Sequence, residues 1–255
     1  MRIPGPPDGA PSVHWPHWRR SHIDELRNDP QIEHFVWWWE DIDTAETENY
    51  LSTIDAASNE RPIQAFLNNY PRMLVQHLQG AHGRWAIPQS RLGSEFIPDF
   101  LIGEAHSYAR QWILVELQSP QTKLFTKKRR PSEQLDEGIS QVLEWRRWLA
   151  RNRDYANRHT AENGLGLLGI NDRSKGLILI GRAADRSLQD RDQLEQLCWD
   201  MHLDIRSYDW LYRVALHRIT IRAEMLESAR RIEAGEQSAG GRQWIVDDEA
   251  LDWSV

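Results

Sequence analysis

Two carboxylates and an amide interrupt an otherwise apolar pair of segments. Asp99 lies in Phe96-Ile97-Pro98-Asp99-Phe100, and Glu116 and Gln118 lie in Ile113-Leu114-Val115-Glu116-Leu117-Gln118-Ser119-Pro120. Short apolar, β-branched runs between turn signals read as buried strands. Residues 103–110 read as the loop of a hairpin, longer than the tightest turns. An antiparallel pair would bring Asp99 beside Glu116, and the two-residue period of a strand puts Glu116 and Gln118 on one face. Buried charge is costly unless it is paired or bound to a metal. The segments therefore predict a polar site at the mouth of an apolar sheet.

Other elements must hold that site. Asn59 and Pro62 mark a helix start, with Asn59 as the cap, and Ile63, Phe66 and Leu67 give the helix one buried face. Glu60 sits at its head, where a carboxylate suits the positive end of the helix dipole. Pro71 ends that helix, and Met73, Leu74, Val75 and Leu78 suggest a further short one. Residues 84–89 read as a first strand, with Leu92 and Gly93 in the turn after it. Ser119-Pro120 ends the third strand, because proline donates nothing to a ladder. Residues 132–157 read as a long helix with two stripes. Leu135, Ile139, Val142 and Leu143 form one, and Gln134, Gln141, Trp145 and Trp148 form a nearly opposite one, so the helix should be sandwiched. Residues 176–181 read as a buried strand, 190–202 as a helix and 203–206 as a strand. A final helix opens at Tyr208 and runs past Met225.

Lys127, Lys128, Arg129 and Arg130, with Lys123 just before them, make a basic loop a few residues beyond the two carboxylates. Such a loop is either a solvated surface or a phosphate contact. Gly164-Leu165-Gly166-Leu167-Leu168-Gly169 spells a dinucleotide-binding motif, but a helix precedes it and a turn follows it. That motif needs a strand before it and a helix after it. His14 and His17 lie three apart with no carboxylate cluster nearby, which favours a surface arm over a metal site.

The 255 residues are enough for a full core, as one large domain or one domain with additions. We divide them into an N-terminal arm (1–50), a main domain (51–225) and a C-terminal tail (226–255), with the polar residues 41–49 as the boundary. A net charge of −7 excludes a uniformly basic nucleic-acid binder, so any such contact must be local. Cys198 is the one cysteine, which excludes an intrachain disulfide and fits a reducing cytoplasm. No run of apolar residues is long enough to span a membrane, and the first twelve residues lack a signal-type apolar segment. Most of the 13 tryptophans are expected to anchor cores or interfaces, Trp37 to Trp39 among them.

The order helix, three strands, helix, strand, with Pro98-Asp99 and Glu116-Leu117-Gln118 on the second and third strands, resembles the PD-(D/E)xK nuclease core. More narrowly, the chain resembles the Shedu family of anti-phage defence proteins. Glu60 with Phe66-Leu67 and Pro71, Pro98-Asp99-Phe100, Val115 to Gln118 with Pro120, Gln141 with Trp145, and Tyr208-Asp209 match the family's pattern in order over about residues 57–216.

The resemblance implies an α/β fold, restriction-endonuclease-like, with a mixed central sheet flanked by helices and an N-terminal extension. It implies a cytoplasmic, metal-dependent DNA endonuclease that works as a homo-oligomer. Mg²⁺, with Mn²⁺ as substitute, would be held by Asp99, Glu116, the Leu117 carbonyl and Glu60. Gln118 and Gln141 would complete the catalytic set, and Lys123, Lys127, Lys128, Arg129 and Arg130 would contact DNA. One position departs from the pattern: Gln118 stands where the family usually has lysine. That substitution keeps open a catalytically weak or inactive module that binds or senses nucleic acid, and the tryptophans and the two-sided helix keep open a structural homo-oligomer.

Overall fold

The computed structural model describes residues 34–36, 42–78, 83–106 and 109–233. His14, His17, Trp37 to Trp39 and the residues after Glu233 lie outside them. Six strands form one sheet in sequence order. They are β1 (His34–Val36), β2 (Arg84–Pro88), β3 (Phe100–Ala105), β4 (Arg110–Leu117), β5 (Lys175–Leu179) and β6 (Leu203–Arg206). Strands β1 to β4 pair antiparallel, whereas β5 pairs parallel with β4 and β6 pairs parallel with β5. The fold is thus α/β with a mixed sheet, and its parallel half needs helical crossovers.

Those crossovers are α4 (Glu133–Asn157), between β4 and β5, and α5 (Leu188–Met201), between β5 and β6. Both pack on one face of the sheet, where Trp112, Leu114, Leu135, Ile139, Val142, Trp145, Trp148 and Leu194 share a core. The opposite face carries α1 (Thr44–Ala56), α2 (Arg61–Asn69), α3 (Pro71–Leu74) and α6 (Tyr208–Glu233). Tyr50, Ile63, Leu67, Phe100, Val115, Leu117 and Leu211 form that second core. Val115 and Leu117 point into one core and Leu114 into the other, as the strand period requires.

Several expectations need correction. The polar residues 41–49 are not a boundary: Asp43 caps α1 in a reciprocal capping box with Glu46, and the division at residue 50 runs through this helix. Tyr50 and Ile54 are fully buried, each worth about 1.5–3 kcal/mol of apolar burial, which outweighs the polar composition around them. Strand β3 starts at Phe100 rather than Phe96. Leu92 and Phe96 instead close a small turn on each other, and Pro98 has no N–H to offer a ladder. At its other end β3 runs through Gly103 to Ala105, so the hairpin loop is shorter than expected. Gly103 is required there because a Cβ would sit 2.6 Å from the Trp85 ring.

The two stripes of α4 are the flanks of one broad face: Leu135, Ile139, Val142, Trp145 and Trp148 all join the same core, and Gln134 is exposed. Asn59 is not the cap of α2. Glu60 occupies that position without a side-chain cap bond, and Asn59 Oδ1 accepts from the Arg61 N–H at 3.1 Å. Helix α5 starts at Leu188, capped by Ser187, with Asp190 closing the capping box.

Candidate carboxylate site

Register builds the centre of the site. Phe100 pairs with Val115, and one step further sets Asp99 opposite Glu116. The Gln89 N–H donates to the Asp99 carbonyl at 2.9 Å, which ties this residue to β2. The Asp99 carboxylate, just ahead of its strand, accepts from the Leu117 N–H at 2.8 Å. Gln118 Nε2 donates to Glu116 Oε1 at 3.1 Å. Gln141, on α4, reaches the two Glu116 oxygens at 2.9 and 3.0 Å when its amide nitrogen faces them, the orientation that gives it acceptors. Gly138, one turn earlier on α4, lets Gln118 lie close, since a Cβ there would be 3.3 Å from Gln118 Cγ.

The far wall comes from α2. The turn after β4 fastens its approach, with Gln121 Nε2 donating to the Ala57 carbonyl at 2.9 Å. Glu60 is close enough to raise the proton affinity of both Asp99 and Glu116. Gln64, one turn on, lies by Asp99 and favours its charged form, and its amide nitrogen is buried without a hydrogen-bond partner. The Gln118 peptide is fixed at both ends. Its N–H donates to the Leu179 carbonyl at 2.8 Å, and its carbonyl accepts from the fully buried Tyr208 hydroxyl at 2.6 Å. Tyr50 in turn donates to the Tyr208 carbonyl at 3.1 Å.

Burial sets the electrostatics. It raises Asp99 to about 6, against the Leu117 hydrogen bond and the nearby Gln64 amide and with Glu60 adding to the rise. It raises Glu116 to about 9, assisted by Asp99, Glu137 and Glu60 and opposed by Gln118. No cation is among the groups acting most strongly on either carboxylate. Two adjacent acids held this way favour either a shared proton or a bound cation. The oxygen donors fit a hard divalent ion, which takes one or two carboxylates together with water and phosphate oxygens. Among the described residues no three His, Cys, Asp or Glu side chains group as a metal cage. The chain therefore offers a carboxylate pair and not a closed coordination shell.

Asp99, Glu116, Gln118 and Gln141 thus come together, with Glu60 at the edge. The basic loop does not join them. Lys123, Lys127, Lys128 and Arg130 are exposed. Arg129 turns away, donating to the Gln189 carbonyl at 2.6 Å and pairing with Asp190, its guanidinium 5.3 Å from the Phe125 ring. Sequence reasoning missed Gln64 and Glu137. Each lies four residues from a named site residue, Glu60 and Gln141, on the same helix, and that spacing was the available signal. The structural use of Arg129 had no such signal, because its partners lie about sixty residues away.

The 164–169 glycine motif lies between α4 and β5 in the loop after a short 3₁₀ turn (Thr160–Glu162), without the strand–helix context a dinucleotide site needs. A family model described as Shedu protein SduA, C-terminal, matches residues 57–212, more than half of the chain. No curated protein matches it.

Proposed function

The chain belongs to the Shedu SduA C-terminal family, and from that premise we propose that it is a metal-dependent DNA endonuclease of anti-phage defence, built on a PD-(D/E)xK core. The single observation that carries the reading is the Asp99–Glu116 pair: a half-buried and a buried carboxylate, adjacent and held by amides and a backbone N–H, with no cation among their strongest neighbours. Asp99, Glu116 and the Leu117 carbonyl would hold Mg²⁺ or Mn²⁺, and Glu60, at the edge of the site, would hold a bound water. A bound ion would supply a more acidic water and neutralise charge on the scissile phosphate.

The remaining work falls to the chain itself. The Leu117 N–H fixes the Asp99 carboxylate against its strand. Gln118 and Gln141 orient Glu116 from two sides, and Gln118 also positions the attacking water. Lys123, Lys127, Lys128 and Arg130 meet DNA phosphates beyond the site, with Arg129 bracing their loop. The active form is a homo-oligomer in the cytoplasm; among the described residues no helix is long and apolar enough to cross a membrane.

A second reading is a nuclease fold that binds nucleic acid without cutting it. It is favoured by Gln118, which brings no charge where the family has lysine and gives its amide to Glu116. A panel of linear, nicked and supercoiled DNA with Mg²⁺ or Mn²⁺ separates the two. Cleavage that falls at least about 100-fold in Asp99→Ala and in Glu116→Ala supports the endonuclease, and Gln118→Lys should then be at least as fast as wild type. DNA binding that survives Asp99→Ala, with no cleavage by any variant, overturns it.

A further inference from the structure

Helix α5 carries a surface stripe that nothing in the described structure covers. Leu188, Asp192, Glu195 and Trp199 recur at steps of four, three and four residues, so they lie along one face. Trp199 is 85% exposed and Leu188 74%, the two most exposed large apolar side chains among the described residues. Asp192, Glu195, Gln196 and Trp199 line a shallow open depression of about 500 Å³. An exposed tryptophan beside unpaired acids suits a ligand that is aromatic or proline-bearing and cationic.

Of the segments outside the described residues, the one richest in both aromatic rings and cations fits best. Residues 14–20 read His14-Trp15-Pro16-His17-Trp18-Arg19-Arg20, with no acidic residue. Strand β1 begins at His34, on the sheet edge opposite β6 and α5. The sheet is five strand spacings wide, roughly 24 Å. The residues between Arg20 and His34 reach up to roughly 45 Å when extended. The segment can therefore cross the sheet to its own α5.

We propose that the Leu188–Trp199 face of α5 is a docking surface for residues 14–20 of the same chain. Arg19 and Arg20 pair with Asp192 and Glu195, and the tryptophans of the segment pack on Trp199. The docked segment would lie beside the basic loop, because Arg129 already ties that loop to the start of α5 through Asp190 and Gln189. This proposal does not depend on the nuclease reading.

The test uses the full chain with p-benzoylphenylalanine in place of Trp199, irradiated and mapped by mass spectrometry. Docking predicts a cross-link within one chain to residues 14–20. Arg19→Glu with Arg20→Glu should lower its yield at least fivefold, and adding Asp192→Lys with Glu195→Lys should restore at least half of it. A cross-link between chains, one to another segment or none at all overturns the proposal. So does a charge-reversed pair that fails to restore the yield.

Discussion

Two pairs of acids, each partly or fully buried at this sheet or beside it, end up with opposite proton affinities. Asp99 and Glu116 close the antiparallel half and are pushed up to about 6 and about 9 by burial. Asp204 on β6 and Asp209 at the head of α6 are also raised by desolvation and still fall below the ordinary range. Arg206 and Lys175 lower Asp204, and Arg182 with the Ala183 N–H lowers Asp209. Asp204 accepts from Lys175 at 2.8 Å and from Arg206 at 2.9 Å. Asp209 takes a forked contact from Arg182 at 2.8–3.1 Å, while the same guanidinium pairs with Asp55 of α1 at 2.8 Å. Burial raises all four, so the partner decides the outcome. Where the fold needs acids for cohesion it pairs them with cations. At the candidate site it surrounds them with amides and further carboxylates, which leaves them open to an incoming cation.

The largest effect expected from this contrast is on the pH dependence of stability. The unfolded chain loses the Glu116 proton near 4.5, but the folded chain keeps it until about 9. Metal-free protein should therefore lose stability as pH rises through that window, by up to about 1.4 kcal/mol per pH unit for one proton. Asp99 adds to the loss between 3.8 and about 6. Asp204 and Asp209 act in the opposite sense: their contribution is present above 3.8 and lost as pH falls below it. Urea midpoints between about pH 5 and 9 should drift down for wild type and much less for Glu116→Gln. Equal drift in both would break the comparison.

A smaller effect should follow Asp209→Asn, which leaves the partly buried Arg182 with the more exposed Asp55 and the Ile54 carbonyl. A fully buried pair broken this way costs about 3–5 kcal/mol; at this half-open position about 2–3 kcal/mol is expected, read from chemical denaturation near neutral pH. A neutral result would mean that the paired acids are as expendable as the unpaired ones.

The smallest effect is Tyr208→Phe. It removes one hydroxyl from the Gln118 carbonyl and should cost about 1–2 kcal/mol. If the hydroxyl also holds the site strand in place, Mn²⁺ affinity measured by calorimetry without DNA should weaken as well. Tyr50→Phe, which loses a bond to the Tyr208 carbonyl, should reduce stability and leave that affinity unchanged.

Much of this architecture was legible from local pattern. The β2 and β4 strands, the long α4 helix, the stop at Ser119-Pro120 and the facing of Asp99 and Glu116 all follow from periodicity, proline chemistry and strand pairing. These depend on residues close in sequence or on one hairpin, so the chain carries them by itself. The misplaced start of β3 and the two supposed stripes of α4 came from reading apolar runs without knowing what packs on them. A Gly103 that admits Trp85, or a face wide enough to hold both Trp145 and Ile139, is visible only once the elements are packed.

The sequence by itself determined which side chains could do chemistry and that two carboxylates would meet. Only the tertiary structure decided their state. Desolvation and the nearest charges set it, and beyond the two strands those charges come from the head of α2 and from α4, elements far apart along the chain. The same remoteness placed Tyr208 under Gln118 and Arg129 on α5, contacts that no local spacing encodes.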